Sequence, residues 1–149
     1  MIIALAERFP LIETRLIQLL SQNRAPDFVR LERVRAEGEY DLVLCDLNHL
    51  SPARFHHAAC CLVPTHASAP DAPADILLSG GMNPADPVTL SSISEQSAML
   101  CLQQEVIVSH QSIVPFEKKI PFDHGISLYK NIAVGFALAI AEQIEGEER

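Results

Sequence analysis

The chain opens on an unbroken apolar run, Met1-Ile-Ile-Ala-Leu-Ala6, which has the length and evenness of a strand buried on both faces. Pro10 follows where a first helical turn tolerates a missing amide, and Ile12, Leu16, Leu19 and Leu20 recur at helical spacing. Leu11 to Leu20 therefore reads as a helix with one apolar stripe for a sheet, closed by Asn23 and Pro26. Phe28 to Val34 mixes apolar residues with charge, as an edge strand does, and Glu37-Gly38-Glu39 turns the chain into a strand over Tyr40 to Leu44. Leu42 to Cys45 has the apolar continuity of a central strand. Ser51 is placed to cap a short helix over Pro52 to Ala59, and Cys60 to Val63 is a fourth strand. His66 to Pro73, with three alanines and two prolines and no apolar period, is a surface connection to a fifth strand at Ile76 to Ser79.

Beyond Pro87 the pattern changes from continuous to alternating. Val88 to Ile93, Met99 to Val108 and Ser112 to Ile120 read as an antiparallel meander joined around Ser94-Glu95 and Ser109-His110-Gln111. Pro115 and Pro121 donate no ladder hydrogen bonds, which puts the last of the three at an edge. Ser127 caps a final helix, Leu128 to Ile144, apolar almost all round, with Gly135 and several alanines permitting close packing on the sheet. Glu145 to Arg149 reads as a frayed tail. These elements predict a single α/β domain over residues 1–149. Residues 1–87 form its mainly parallel, Rossmann-like βα part, and residues 88–149 its antiparallel strands and last helix.

Length and composition agree, since 149 residues with 48% hydrophobic content suit one domain that buries a sizeable core. A formal net charge of -8 opposes binding to phosphate backbones, and the arginines at 24, 30, 33 and 35 are interleaved with Asp27, Glu32, Glu37 and Glu39. Nucleic acid is not expected as a partner. Cys45, Cys60, Cys61 and Cys101 lie in apolar runs without the spacing of a disulfide framework, and no basic segment leads into a cleavable apolar one, so a reducing cytoplasm is the expected location. Ile132 to Ala141, the longest apolar stretch, is far short of the ~20 residues that span a bilayer, so no membrane anchor is expected.

The feature most suggestive of a site is the strand ending in Gly80-Gly81, followed by Met82-Asn83-Pro84. Paired glycines permit positive φ and let a partner approach the backbone. Gly80 and Gly81 are candidates to cradle an anion through their amides, with Ser79 and Asn83 as further ligand contacts. Plain turn chemistry accounts for the same residues. Asp46, Asn48 and His49 follow the central strand and share its edge with Ser79 if both strands are parallel. There His49 is a candidate general base oriented by Asp46, with Asn48 as a ligand contact; helix capping and turns are the alternative. The junction Ala4-Leu-Ala-Glu-Arg-Phe-Pro10 has no glycine and no Lys-Ser or Lys-Thr, so neither a P-loop nor a dinucleotide fingerprint is present and no cofactor is expected. His49, His56, His57 and His66 lie close to Cys60 and Cys61, yet no ligand-pair spacing occurs. Adjacent cysteines on a strand also point to opposite faces, so no metal site is expected.

Gly81-Met-Asn-Pro-Ala-Asp-Pro-Val-Thr-Leu90-Ser-Ser-Ile93, an alternating strand pair and Ser127-Leu-Tyr-Lys-Asn-Ile-Ala-Val-Gly-Phe-Ala137 together resemble the latter part of the central domain of Mur ligases, the ATP-dependent amide-bond-forming enzymes of peptidoglycan synthesis. There the segments read roughly Gly-Leu-Asn-Pro-Asp-Ala-Asp-Val and Asn-x-Tyr-Asn-x-x-Ala-Ala. The resemblance covers about half the chain and departs from the family in its chemistry. The glycine-rich phosphate loop is missing, the helix asparagines fall on Ser127 and Lys130, and Asp46-Leu-Asn-His-Leu50 only loosely matches the family's Thr-Asn-x-x-x-Asp-His loop. It implies the family's scaffold without its nucleotide chemistry. The leading expectation is thus a non-enzymatic binding or assembly module with a homo-oligomer or protein partner. One alternative is a small enzyme acting between the loops after Cys45 and Ser79 on a small anionic or peptide-like substrate. A metal-binding protein is the second alternative.

Overall fold

The computed structural model describes residues 1–5, 10–22, 29–45, 55–65 and 74–147. Its first half runs β1 (Ile2–Leu5), α1 (Pro10–Gln22), β2 (Arg30–Arg33), β3 (Glu39–Leu44), β4 (His57–Pro64) and β5 (Ala74–Gly80). The second half adds β6 (Val88–Ile93), β7 (Ser97–Leu102), β8 (Val106–Val108), β9 (Gln111–Ile113), β10 (Phe116–Pro121) and α2 (Leu128–Glu147). Eight strands form one sheet in the order β10-β7-β6-β5-β4-β3-β1-β2, while β8 and β9 pair separately as a hairpin. Every pairing from β2 to β6 is parallel, and only β7 runs against its neighbours β6 and β10. This is an α/β fold with a Rossmann-like, mostly parallel sheet extended by antiparallel strands.

Continuous apolar runs become the central strands because both their faces are covered. Ile3, Leu5, Leu42, Leu44, Cys60, Leu62 and Leu78 join the main core, together with Ile12, Leu16, Leu19 and Leu20 of α1 and almost every residue of α2 from Ile132 to Ile144. Ala4, Val43, Cys61 and Val63 point to the opposite face and join a smaller cluster with Tyr40, Phe55 and Ala58. Both described helices therefore pack on one side of the sheet. The charged β2 forms one edge and the proline-flanked β10 the other, as their sequences require. α2 starts where Ser127 Oγ accepts from the Lys130 amide at 3.1 Å.

Several boundaries differ from the sequence reading. β4 begins at His57, so residues 57–59 are extended and pair with β3 and β5 through Glu39↔His57 and Ala58↔Ala74. Ladder pairing overrides the weak helical preference of an Ala-rich stretch; residues 52–54 lie outside the described part, as do Asn23, Pro26 and the connection 66–73. The two long alternating segments each break in two. The chain leaves the sheet after Leu102 and turns tightly at Ser109 and His110, both left-handed with φ of 51° and 63°. It rejoins only at Phe116, beyond Pro115. The resulting β8–β9 hairpin buries Val106, Val108 and Ile113 in the helix-side core. α2 extends to Glu147, beyond the Ile144 end read from the sequence.

Two connections between parallel strands are unusually short. Residues 34–38 carry the chain from β2 across β1 to β3, where a crossover ordinarily takes a dozen or more residues. Tyr40 makes this possible: its hydroxyl accepts from the Arg35 amide at 2.9 Å, and its ring meets Phe55 edge-on with centroids 6.3 Å apart. Gly38 is required beneath that ring, since a Cβ there would lie 1.9 Å from the tyrosine oxygen. The second connection, residues 81–87, sets β6 alongside only the last residue of β5, Gly80↔Val88.

Gly135 brings α2 close to β10, because a Cβ would sit 2.3 Å from Ile120 Cδ1. For Gly135→Ala the helix-propensity gain of about 1 kcal/mol offsets most of a mild overpacking cost, so urea unfolding should move by less than about 1 kcal/mol. Gly135→Leu has no such compensation in a fully buried seam and should cost more than about 2 kcal/mol in the same titration.

Candidate functional site

The carboxyl edge of a parallel sheet is where open α/β folds bind ligands. At the β4–β5 end of that edge the structure holds a buried carboxylate. Asp86 is only 3% exposed, although it sits in a turn, between Ala85 and Pro87. Thr65, just after β4, donates its hydroxyl to Asp86 Oδ2 at 2.7 Å, Ser79 of β5 donates to Oδ1 at 2.9 Å, and the Asn83 amide donates to Oδ2 at 3.0 Å. Three neutral donors from two strands and the turn thus converge on one side chain. Charge-assisted bonds of this kind, away from water, contribute about 1.5–3 kcal/mol each.

The rest of the turn is equally self-contained. Gly80 O accepts from the Thr65 amide at 3.1 Å, the Gly81 amide donates to Val88 O at 3.1 Å, and Asn83 Oδ1 accepts from the Ala85 amide at 2.9 Å. Gln103, after β7, donates its side-chain amide to Asp86 O at 2.7 Å and Pro84 O at 3.1 Å. Neither glycine of the pair has positive φ. Gly81 is needed for close approach instead: a Cβ would lie 1.8 Å from Thr65 Oγ1 and 2.8 Å from Asp86 Oδ2. Of the residues expected to contact ligand, Ser79, Gly80, Gly81 and Asn83 are brought together here, where the Ser79 hydroxyl, the Gly80 carbonyl, the Gly81 amide and the Asn83 amide and Oδ1 are engaged by Asp86, Thr65, Val88 and Ala85. Sequence reasoning missed Asp86 and Thr65. The available signal was an aspartate three residues after Asn83, in position to accept from the turn's own amides.

The other expected residues, Asp46, Asn48 and His49, lie outside the described residues. The strand that carries them in is described: β3 and β5 are parallel, with β4 between, so the loops after Cys45 and Ser79 leave the sheet at the same edge. The strand order reverses between β1 and β3, which makes their carboxyl ends the topological switch point.

At that point the last described residue of β3's exit is Cys45. Its Sγ lies 3.4 Å from Sγ of Cys61 on β4. The hydrogen bond from Cys61 holds the Cys45 thiol below its ordinary value, with burial working against it. The same bond and burial push Cys61 well above. Tyr129 of α2 fixes the backbone here, its hydroxyl 2.6 Å from Cys45 O and 3.1 Å from Leu62 O. Cys60 points to the helix side, its thiol pushed up to about 12 by burial. Cys101 packs on the sheet face opposite the described helices with Sγ 3.9 Å from Glu117.

The remaining histidine chemistry disperses. His57 Nε2 is 2.9 Å from Asp75 and His56 Nε2 3.7 Å from Glu39, at the amino edge, while His49 and His66 fall outside the described residues. Among the described residues, no group of three or more His, Cys, Asp or Glu is placed to hold a metal ion, and no helix is long and apolar enough to cross a membrane. The fold and this edge define an α/β protein of the Rossmann-like kind with a closed, carboxylate-centred turn. No protein-family model, curated protein or solved structure matches the chain.

Asp86→Ala removes the acceptor of three part-buried donors and should lower unfolding free energy by about 2–4 kcal/mol, whereas Asp86→Asn, which keeps one acceptor oxygen, should cost about half as much. In the same urea titration Gly81→Ala should be more damaging than Gly80→Ala, whose Cβ meets its nearest neighbour, Ile132 Cγ2, at 3.2 Å. Because the Cys45 thiolate fraction rises with pH from a lowered pKa, its iodoacetamide alkylation should reach half-maximal rate at lower pH than that of an ordinary thiol. Cys60 should stay unmodified in the native protein across the neutral range.

Proposed function

We infer that the protein is a non-enzymatic binding or assembly module, built on a scaffold of the Mur-ligase central-domain kind that lacks ATP chemistry. One observation carries this reading. The turn that most resembles a ligand cradle is closed upon itself through Asp86, so its glycines serve packing rather than anion capture. The β1–α1 junction adds support from sequence, having no glycine-rich segment with which to hold a polyphosphate at the switch point. The motifs at Gly81 to Ile93 and Ser127 to Ala137 supply the likeness to the Mur domain, and Asp86 falls inside the first of them.

Self-association fits the surface. The described helices cover one face of the sheet, and parallel sheets are ordinarily covered on both. On the other side Leu77 is 41% exposed in β5 and Met82 46% exposed in the turn. At Met82 a groove of about 670 Å³ is lined by Met82, Pro84, Thr89, Cys101 and Phe116, the last also packed against the helix-side core. Aromatic and methionine side chains lining such a groove favour protein contact. A second reading, a small enzyme with Asp46 and His49 acting on a small anionic or peptide-like substrate, is favoured by the shared edge of β3 and β5.

Light scattering across a concentration series should give a mass above one chain, and Leu77→Glu should return it to one chain without shifting the unfolding midpoint. ATP with Mg²⁺ should give no calorimetric signal stronger than a Kd of about 1 mM. A strictly monomeric wild type, or clear nucleotide heat, would remove this reading.

A further inference from the structure

Two thiols meet at the carboxyl edge of the β3–β4 pair, and the assembly reading makes no use of them. Cys45 and Cys61 are both free, with Sγ atoms 3.4 Å apart. They differ in access. Cys61 has no exposed surface and packs in the cluster of Ala4, Val43 and Val63, whereas Cys45 is only half-buried at the exit of β3. They differ in ionisation as well, Cys45 being the thiol that more readily loses its proton and Cys61 the one that keeps it and donates. An accessible, thiolate-forming cysteine backed by a second thiol is the arrangement in which an oxidant meets the first sulfur and the second resolves it.

The backbone holds the pair in place. The Cys45 amide donates to Leu62 O at 3.0 Å and the Tyr129 hydroxyl reaches Cys45 O, so Cys45 stays against β4. Cys45 lies diagonally across from Cys61, one strand pair beyond the Val43↔Cys61 and Leu44↔Leu62 partners, and the two sulfurs must close from 3.4 Å to about 2.05 Å to bond. The other cysteines lack such a neighbour: Cys60 faces the opposite side of the sheet and Cys101 contacts a carboxylate.

We propose that Cys45 and Cys61 form an oxidative modification site that reduces a hydroperoxide and closes an intramolecular disulfide across the ends of β3 and β4. The Cys45 thiolate attacks the peroxide oxygen and the O–O bond breaks. The leaving oxygen takes a proton and departs as water, leaving Cys45 as a sulfenic acid. The Cys61 sulfur then attacks the Cys45 sulfur, the S–S bond forms, the S–O bond breaks, and the Cys61 proton leaves with the hydroxyl as a second water. Two thiols and one hydrogen peroxide thus yield one disulfide and two waters, two electrons having passed from sulfur to oxygen.

The test exposes the full chain to stoichiometric hydrogen peroxide, counts free thiols after denaturation and maps products by tandem mass spectrometry. In the wild type and in Cys60→Ala, two thiols should be lost to a single Cys45–Cys61 cross-link that dithiothreitol reverses. Cys61→Ala should stop at a dimedone-reactive sulfenic acid on Cys45, and Cys45→Ser should lose no thiol at that dose. Should Cys61→Ala fail to fold, the wild-type cross-link map decides alone. A cross-link through Cys60 or Cys101, over-oxidation of Cys45 beside a reduced Cys61, or retention of all four thiols in excess peroxide would overturn the proposal.

Discussion

A single buried carboxylate sets the geometry on which the second half of this protein is built. Parallel neighbours are ordinarily joined by long crossovers, because the chain must return to its starting edge. Here β6 avoids the return by starting where β5 stops, and the seven residues between them need only reverse sideways. Such a turn would be loose in isolation. Asp86 fixes it by drawing Thr65, Ser79 and the Asn83 amide onto one side chain, and the absence of a Cβ at Gly81 lets them close. The position of β6, and through it β7 and β10, follows from that contact.

The same edge carries the other organised chemistry of the molecule. Tyr129 reaches from the first turn of α2 to the carbonyls of Cys45 and Leu62, so the last helix is tied to the ends of β3 and β4 as well as packed on the sheet. Asn131 reinforces the same helix start: it is buried, with Oδ1 accepting from the Asp123 amide at 2.8 Å and Nδ2 donating to Asp123 O and Ser127 O at 2.9 Å and 3.0 Å. Polar groups buried in this way rigidify a structure only when every member is satisfied, and these are. Structural closure at Asp86 and half-open thiol chemistry at Cys45 therefore sit on one edge, separated by the width of β4.

Periodicity made most elements legible from sequence. Ile12, Leu16, Leu19 and Leu20 are all buried as their spacing required, and the prolines at 115 and 121 flank an edge strand. Alternation is silent, however, about where a chain leaves a sheet, so the break between Leu102 and Val106 and the excursion of β8 and β9 were not readable. The extended state of residues 57–59 depends on ladder partners sixteen to eighteen positions away in sequence rather than on local preference. The site was legible as a place and not as a network. Ser79, Gly80, Gly81 and Asn83 stood out, but Asp86 and Thr65 are ordinary turn residues until the strands bring them together. The Cys45–Cys61 pair likewise needs the β3–β4 register, which no single run of sequence encodes.

The narrow join between β5 and β6 has a mechanical meaning. One residue pair, Gly80↔Val88, links two ladders that are each many pairs wide, so the sheet resembles two plates welded at a corner. The ion pair of Lys118 with Glu142 and the long contact of α2 with β5, β6, β7 and β10 span that weld like a splint. Each plate is consequently free to keep its own twist, and a load on one is handed to the other through a helix and a carboxylate instead of through a continuous backbone ladder.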